Sequence, residues 1–399
     1  MKILQICLRV PYPPGDGGNI AMYNLAKGLH DTGNEIHILA VNTPKHFVKE
    51  IPGELKKIAK VDAVFIDTKI KASKAFLNLF STESYNVSRF YSQDFENKLT
   101  EILKENSFDI IQLESLFVTP YLNTIRKHSK APVVLRAHNI EYLIWEKVAE
   151  NEDNLLKKIY LKSLAKKLKT HEISVIKKSD AIISITENDK KEFQKINSKI
   201  PVHVAPVGLD PDDYAIENST IEFCLFHLGS MDWLPNIEGV NWLLKEVWPL
   251  IENKEIKLYL AGRKMPDELL TLSKKNIIVE GSIENSKEYI RQKKIMLVPL
   301  LTGGGMRVKI VEGIALGKTI ISTTKGAEGI NYTDGKNILI ADTPQAFAEK
   351  INYLINNKNI CDEIGRNARN LFLEKYSYLK IAEEGNNFYK TLLQQHNLK

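Results

Sequence analysis

Lys2-Ile3-Leu4-Gln5-Ile6-Cys7-Leu8 is a short apolar run at the head of the chain, and Pro11, Pro13, Pro14, Gly15, Gly17 and Gly18 end it. Met22, Leu25, Ala26 and Leu29 follow at steps of three and four, the spacing of one helix face. Glu35-Ile36-His37-Ile38-Leu39-Ala40-Val41 then reads as a second strand. Strand, glycine-rich loop, helix and strand in that order make a βαβ unit. The rhythm recurs at Val61–Ile66, Ile110–Leu113, Val133–Ala137, Ala181–Ile185 and Val202–Ala205, with helical stretches between several of them. Alternating strands and helices imply a parallel sheet covered on both faces.

Pro206-Val207-Gly208-Leu209-Asp210-Pro211 breaks this rhythm, and the residues to Thr220 are polar and aperiodic, as expected of an interdomain linker. The rhythm then restarts. Phe223–Leu228 is followed by Gly229-Ser230, Lys257–Ala261 by Gly262, Ile277–Glu280 by Gly281-Ser282, and Ile295–Pro299 by Thr302-Gly303-Gly304-Gly305. Thr319–Thr323 and Asn337–Ile340 are the last predicted strands. Ligands of open α/β sheets bind at the carboxyl ends of the strands, where these four loops fall. The sequence therefore predicts an α/β protein of two domains, 1–206 and 207–379, with a helix over about 380–399 assigned to the first.

At 399 residues, with 43% hydrophobic and 26% charged side chains, the chain has the balance of a globular protein and not of a disordered or fibrous one. Cys7, Cys224 and Cys361 are odd in number and far apart, which disfavours a disulfide framework or zinc cluster and fits a reducing compartment. No stretch approaches the ~18 consecutive apolar residues of a membrane span. The opening MKILQICLRVPYPPGDGG lacks the pattern of a signal peptide, so a cytoplasmic location is expected. The formal net charge is +6, distributed as +7 over residues 1–206 (31 basic, 24 acidic) and −1 over the rest (24 basic, 25 acidic). An anionic surface partner would meet the first half.

Four constellations could carry chemistry. The richest runs from Gly303 through Gly304, Gly305, Met306, Arg307, Val308 and Lys309 to Glu312 and Gly313. Its glycines let the backbone approach a ligand, and a helix expected to start near Met306 would present N–H groups to an anion. Arg307 and Lys309 add positive charge, and Glu312, about one and a half turns into the helix, could accept both hydroxyls of a ribose. These are the parts of a nucleoside diphosphate site, although neither GxxxxGK[ST] nor GxGxxG is present. The second constellation is Arg136-Ala137-His138-Asn139-Ile140-Glu141, with His138 at the carboxyl end of a strand, able to exchange hydrogen bonds with a substrate hydroxyl. The third is the tight first loop Pro13-Pro14-Gly15-Asp16-Gly17-Gly18-Asn19, which lacks the spacing a dinucleotide site wants. The fourth is Leu155–Lys178, where Leu161, Leu164, Ala165 and Leu168 share one helical face and Lys157, Lys158, Lys162, Lys166, Lys167 and Lys169 crowd the rest. Such a helix either packs with its charged face in solvent or lies on an anionic membrane. No basic stripe interleaved with aromatics suggests nucleic acid. No HExxH, spaced Cys/His set or GxSxG elbow suggests a metal site or an acyl hydrolase.

These markers together resemble the glycosyltransferases of the two-Rossmann-domain type called GT-B, most closely the retaining family numbered four. The resemblance rests on Gly17-Gly18, His138, Ser184-Ile185-Thr186-Glu187, Pro206–Asp210, Gly229–Asn236, Gly281-Ser282 and above all Gly303–Thr323. It implies two Rossmann-like domains facing across a cleft and closing about the linker, with a nucleotide-sugar donor on the second and a glycan or lipid-linked glycan acceptor on the first. It further implies that Glu312 holds the donor ribose, and that N–H groups near Gly304, Gly305, Met306 and Arg307, and at Gly17 and Gly18, face the diphosphate. Gly281 and Ser282 would lie beside the base, and His138 near the reacting sugar. No metal or cofactor is expected, and UDP or GDP is the expected nucleotide.

The chain departs from the family pattern twice. The family's sugar-contacting Glu, eight positions before the ribose-binding one, is here Gly304. The Arg and Lys that often follow the first strand of the second domain are missing from Met231-Asp232-Trp233-Leu234-Pro235-Asn236, so Arg307 and Lys309 are expected to supply that charge. An epimerase or hydrolase on the same fold and a catalytically silent nucleotide-sugar-binding partner are the competing readings.

Overall fold

The computed structural model describes residues 1–71, 73, 78, 81–216, 221–272 and 275–398. The end of the expected linker, 217–220, lies outside the described residues. The chain divides into two compact units, Met1–Gly208 with Tyr378–Lys399, and Leu209–Ser377.

The first unit is built on seven strands: β1 (Lys2–Cys7), β2 (Glu35–Asn42), β3 (Lys60–Phe65), β4 (Ile110–Glu114), β5 (Val133–Ala137), β6 (Ala181–Ser184) and β7 (Val202–Val204). They lie in the order β3-β2-β1-β4-β5-β6-β7, every pair parallel. Ile3, Leu4 and Ile6 of β1 are fully buried, as a central strand covered by helices on both faces requires. Because β1 has β2 on one side and β4 on the other, the chain leaves β1 and β4 in opposite directions at their carboxyl ends, and a crevice opens there. Helix α1 (Gly17–Asp31) follows β1; α2 (Glu141–Glu150) and α3 (Leu155–Lys178) follow β5.

The second unit has six strands: β8 (Glu222–Leu228), β9 (Leu258–Ala261), β10 (Ile277–Gly281), β11 (Lys293–Val298), β12 (Thr319–Ser322) and β13 (Leu339–Ile340). Their order is β10-β9-β8-β11-β12-β13, again all parallel, so the switch point falls between β8 and β11. Helix α4 (Leu234–Trp242) follows β8 and α5 (Val308–Ala315) follows β11. The expected start near Met306 is displaced to Val308, because Gly303 and Gly305 adopt positive φ (+93° and +79°) and Arg307 stays extended as the N-cap.

The last helix, α6 (Tyr378–Asn397), packs on α1 in the first unit. A Cβ at Gly28 of α1 would stand 2.7 Å from the Tyr378 carbonyl oxygen, so glycine is what lets the two backbones approach. Tyr378 donates to Asp31 (2.8 Å) and Asn34 to Asn386 (3.0 Å), fixing the register. All three cysteines are free and buried. No described helix is long and apolar enough to cross a membrane.

Candidate active site

In the first unit the crevice beside β1 and β4 holds a buried charge cluster. Glu114 ends β4 and Arg136 sits on the neighbouring β5, both with side chains at most 1% exposed and 3.0 Å apart. The same Glu114 Oε2 lies 3.1 Å from Nε2 of His138, whose side chain is 18% exposed. Arg136 also donates to the carbonyl of Ala21 on α1 (3.0 Å). Gln112 donates to the other Glu114 oxygen and accepts from Tyr389 of α6, so the C-terminal helix is tied to the cluster. Burial alone would raise the Glu114 carboxyl, but the Arg136 guanidinium and His138 outweigh it and hold the group below its ordinary value. Burial lowers His138, with Glu114 opposing and Arg136 reinforcing the shift. A neutral imidazole beside an ionised carboxylate must carry its proton on Nε2, which leaves the Nδ1 lone pair as an acceptor.

Gly17 and Gly18 open α1 nearby. Asp16 caps that helix, accepting from the amides of Gly18 (3.0 Å) and Asn19 (3.1 Å), and Arg9 pairs with it at 2.5 Å. The Gly18 amide expected to face a diphosphate therefore already holds a carboxylate.

In the second unit the loops after β8 and β11 interlock. A Cβ on Gly303 would come 2.8 Å from the Trp233 ring, and the Arg307 guanidinium stacks 4.8 Å from the centre of that ring. Arg307 turns back to donate to the carbonyls of Gly304 and Gly305, while its Nε and second terminal nitrogen are buried without partners. Lys309 reaches the oxygen of Asn236 (2.9 Å), and the Asn236 amide donates to the Ser230 carbonyl (2.7 Å). This places an ammonium at the end of Met231–Asn236, the segment that has no basic residue of its own. Burial, with Arg307 adding to it, pushes Lys309 down to about 7. Burial raises Glu312, and the Tyr214 hydroxyl donates to one of its oxygens at 2.9 Å. Gly304 is exposed, and a Cβ there would meet nothing within 4 Å. Gly281 ends β10 with φ +69°, its carbonyl accepting from the Gly262 amide (2.7 Å), and Ser282 is exposed beside it. Gly262 itself has no alternative: at φ +149° a Cβ would overlap the Gly229 carbonyl oxygen at 1.8 Å.

The second unit thus gathers Gly304, Gly305, Met306, Arg307, Lys309 and Glu312 around one loop and helix start, with Gly281 and Ser282 three strands away on the same carboxyl edge. Gly17, Gly18 and His138 belong to the first unit. Sequence reasoning missed Glu114, Tyr214, Trp233 and Asn236. A carboxylate at the end of the Ile110–Leu113 run was a visible signal for Glu114; the others are recognised only through their contacts.

Residues 15–213 match the model of Glycosyltransferase Family 4, and residues 222–357 that of Glycosyl transferases group 1. Among known proteins the chain is similar to an uncharacterized 44.6 kDa protein in the cps region of Klebsiella pneumoniae, 24% identical over 95% of this chain and 97% of that one. In fold it is similar to HepE of Anabaena in complex with UDP (TM-score 0.67, 13% identity, 98% and 100% of the two chains). It is likewise similar to sucrose-phosphate synthase of Thermosynechococcus elongatus (TM-score 0.69, 13% identity, 99% and 100%). Two parallel Rossmann-like sheets with candidate residues at both switch points, matched along nearly the whole chain, make this protein a glycosyltransferase of the GT-B type, with family-four and group 1 domains.

Proposed function

We propose that the protein transfers a sugar, with retention, from a UDP- or GDP-linked donor to a hydroxyl of a glycan or lipid-linked glycan, in the synthesis of bacterial cell-envelope polysaccharide or glycoconjugate. The observation that carries this reading is the convergence of Lys309, Arg307 and Glu312 on the glycine loop after β11, at the switch point of the second sheet. The UDP held by HepE and the cps region named for the Klebsiella relative support it.

In this proposal Glu312 accepts the ribose hydroxyls. Lys309 and the loop amides take the diphosphate, with Arg307 bracing the loop through its carbonyls. The bond from the anomeric carbon to the diphosphate breaks, the acceptor oxygen bonds to that carbon on the same face, and its proton goes to the departing diphosphate. The positive groups stabilise the charge that develops there without needing to reorganise. His138, oriented by Glu114, offers its Nδ1 to a sugar hydroxyl.

The test is ligand-observed NMR against UDP-, GDP-, ADP- and CMP-sugars with wild type and Glu312→Ala. One nucleotide class should bind and be lost in the variant; binding indifferent to Glu312→Ala would refute the assignment. The absence of a basic residue from Met231–Asn236 favours one second reading, a silent nucleotide-sugar-binding partner. Product formed from a labelled donor excludes it.

A further inference from the structure

The carboxyl edge of the first sheet holds a feature that the donor chemistry does not use. A pocket of about 490 Å³ lies over the ends of β1, β2 and β3. Arg9, Lys45, Lys69 and Arg89 line it, and among the described residues no carboxylate does. Arg9 is paired with Asp16, but among the described residues no carboxylate lies within ion-pair distance of Lys45, Lys69 or Arg89. The Nε atoms of Arg9 and Arg89 are buried without a hydrogen-bond partner. Arg9 also donates to Nε2 of His46 at 2.8 Å, so His46 carries its proton on Nδ1 and is a neutral donor in the same wall. Thr43, Pro44 and Thr68 also line it, and Leu8, Phe90 and Ile70, the last 70% exposed, give it an apolar side.

Among the described residues the four cations have one ion-paired carboxylate, Asp16 on Arg9, and the buried Nε atoms of Arg9 and Arg89 are unsatisfied, so the site suits an anion. Two guanidinium groups favour one with several oxygens on a single centre, which a phosphate offers and a lone hydroxyl does not. The flanking Leu8, Ile70 and Phe90 suit an apolar group attached to it. We propose that this pocket binds a phosphate ester, as the anchoring group of the acceptor. Only the word "acceptor" rests on the glycosyltransferase reading; the phosphate site stands on the pocket itself.

The test uses the full chain with UDP present, and phenyl phosphate, farnesyl phosphate and glucuronate as probes. Lys69 is exposed, so Lys69→Glu should fold normally and weaken both phosphates at least roughly tenfold, from the loss of a charge-assisted hydrogen bond and its replacement by a repulsive charge. Arg89→Ala should do the same, and Lys309→Ala, in the other unit, should leave phosphate binding unchanged. Tighter binding of farnesyl than of phenyl phosphate assigns the source as a lipid phosphate, and equal binding assigns a soluble ester. The proposal is overturned if neither phosphate binds, if Lys69→Glu has no effect, if only Lys309→Ala abolishes binding, or if glucuronate binds better. Failure of the glycosyltransferase reading would look different: phosphate binding would remain sensitive to Lys69, with no sugar transferred from any donor.

Discussion

If the proposed donor site holds the diphosphate, Lys309 should link its binding to pH. Without ligand its ammonium is buried beside Arg307, and its pKa is pushed down to about 7. A diphosphate at the loop supplies the missing counter-charge and should return it toward the ordinary lysine value of about 10.4. Binding then takes up a proton wherever the free group is deprotonated and the bound one is not. At pH 8 the free ammonium is roughly one-tenth occupied, so uptake should be about 0.9 proton. Affinity should fall roughly fiftyfold between pH 7 and pH 9, a window above the second ionisation of a phosphate monoester at about 6. Glu312 works in the opposite sense, since hydroxyls donating to its raised carboxyl favour the ionised form and release a proton. Isothermal titration of UDP at pH 8, in two buffers of different ionisation enthalpy, measures the net count. Lys309→Arg keeps the charge but does not titrate, so its uptake should vanish or reverse. Uptake below about 0.2 proton in wild type, or equal uptake in Lys309→Arg, would refute the reasoning.

Arg136→Ala should cost about 3–5 kcal/mol by chemical denaturation, because it leaves Glu114 buried and unpaired; His138→Ala should abolish turnover with little loss of stability, since that side chain is partly exposed. Gly262→Ala should destabilise the second unit by about 1–3 kcal/mol from backbone strain alone, with the overlap on Gly229 adding to it, and lower the melting temperature accordingly. Liposome binding tests the proposed contact with an anionic membrane. Leu161, Leu164, Ala165 and Leu168 are buried, so the apolar face read from the sequence is used in packing, and Leu155, Leu156 and Ile159 are what α3 leaves exposed. Co-sedimentation with anionic vesicles should rise with anionic lipid, fall with salt and drop in Leu156→Asp; none at low salt counts against the contact.

The strands were legible because a parallel sheet buried on both faces must be written as runs such as Val133–Ala137, which is a strand with those same bounds. The glycine loop after β11 was legible for a different reason. Glycines that must adopt positive φ, like Gly303 and Gly305, cannot easily be replaced by other residues, so the conformation leaves its mark on the composition. Pair chemistry was not legible. Glu114 and Arg136 are 22 residues apart and meet only because β4 and β5 are neighbours; Tyr214 and Glu312 are separated by 98. The end of the Ile110–Leu113 run marks Glu114 locally, but nothing local names the partner of either carboxylate.

The same reasoning explains how the missing basic pair is compatible with the proposed donor site. What a diphosphate requires is positive charge at a point in space, and the interlocked loops after β8 and β11 let either loop provide it. Asn236 holds the Lys309 ammonium at the end of the segment without a cation, and Trp233 of that segment stacks on Arg307. Judged by its own residues the segment carries only the negative charge of Asp232, while the folded loop pair brings cations to it. The absence of a family residue therefore counts against a function only after the neighbouring strand's loop has been searched for its substitute.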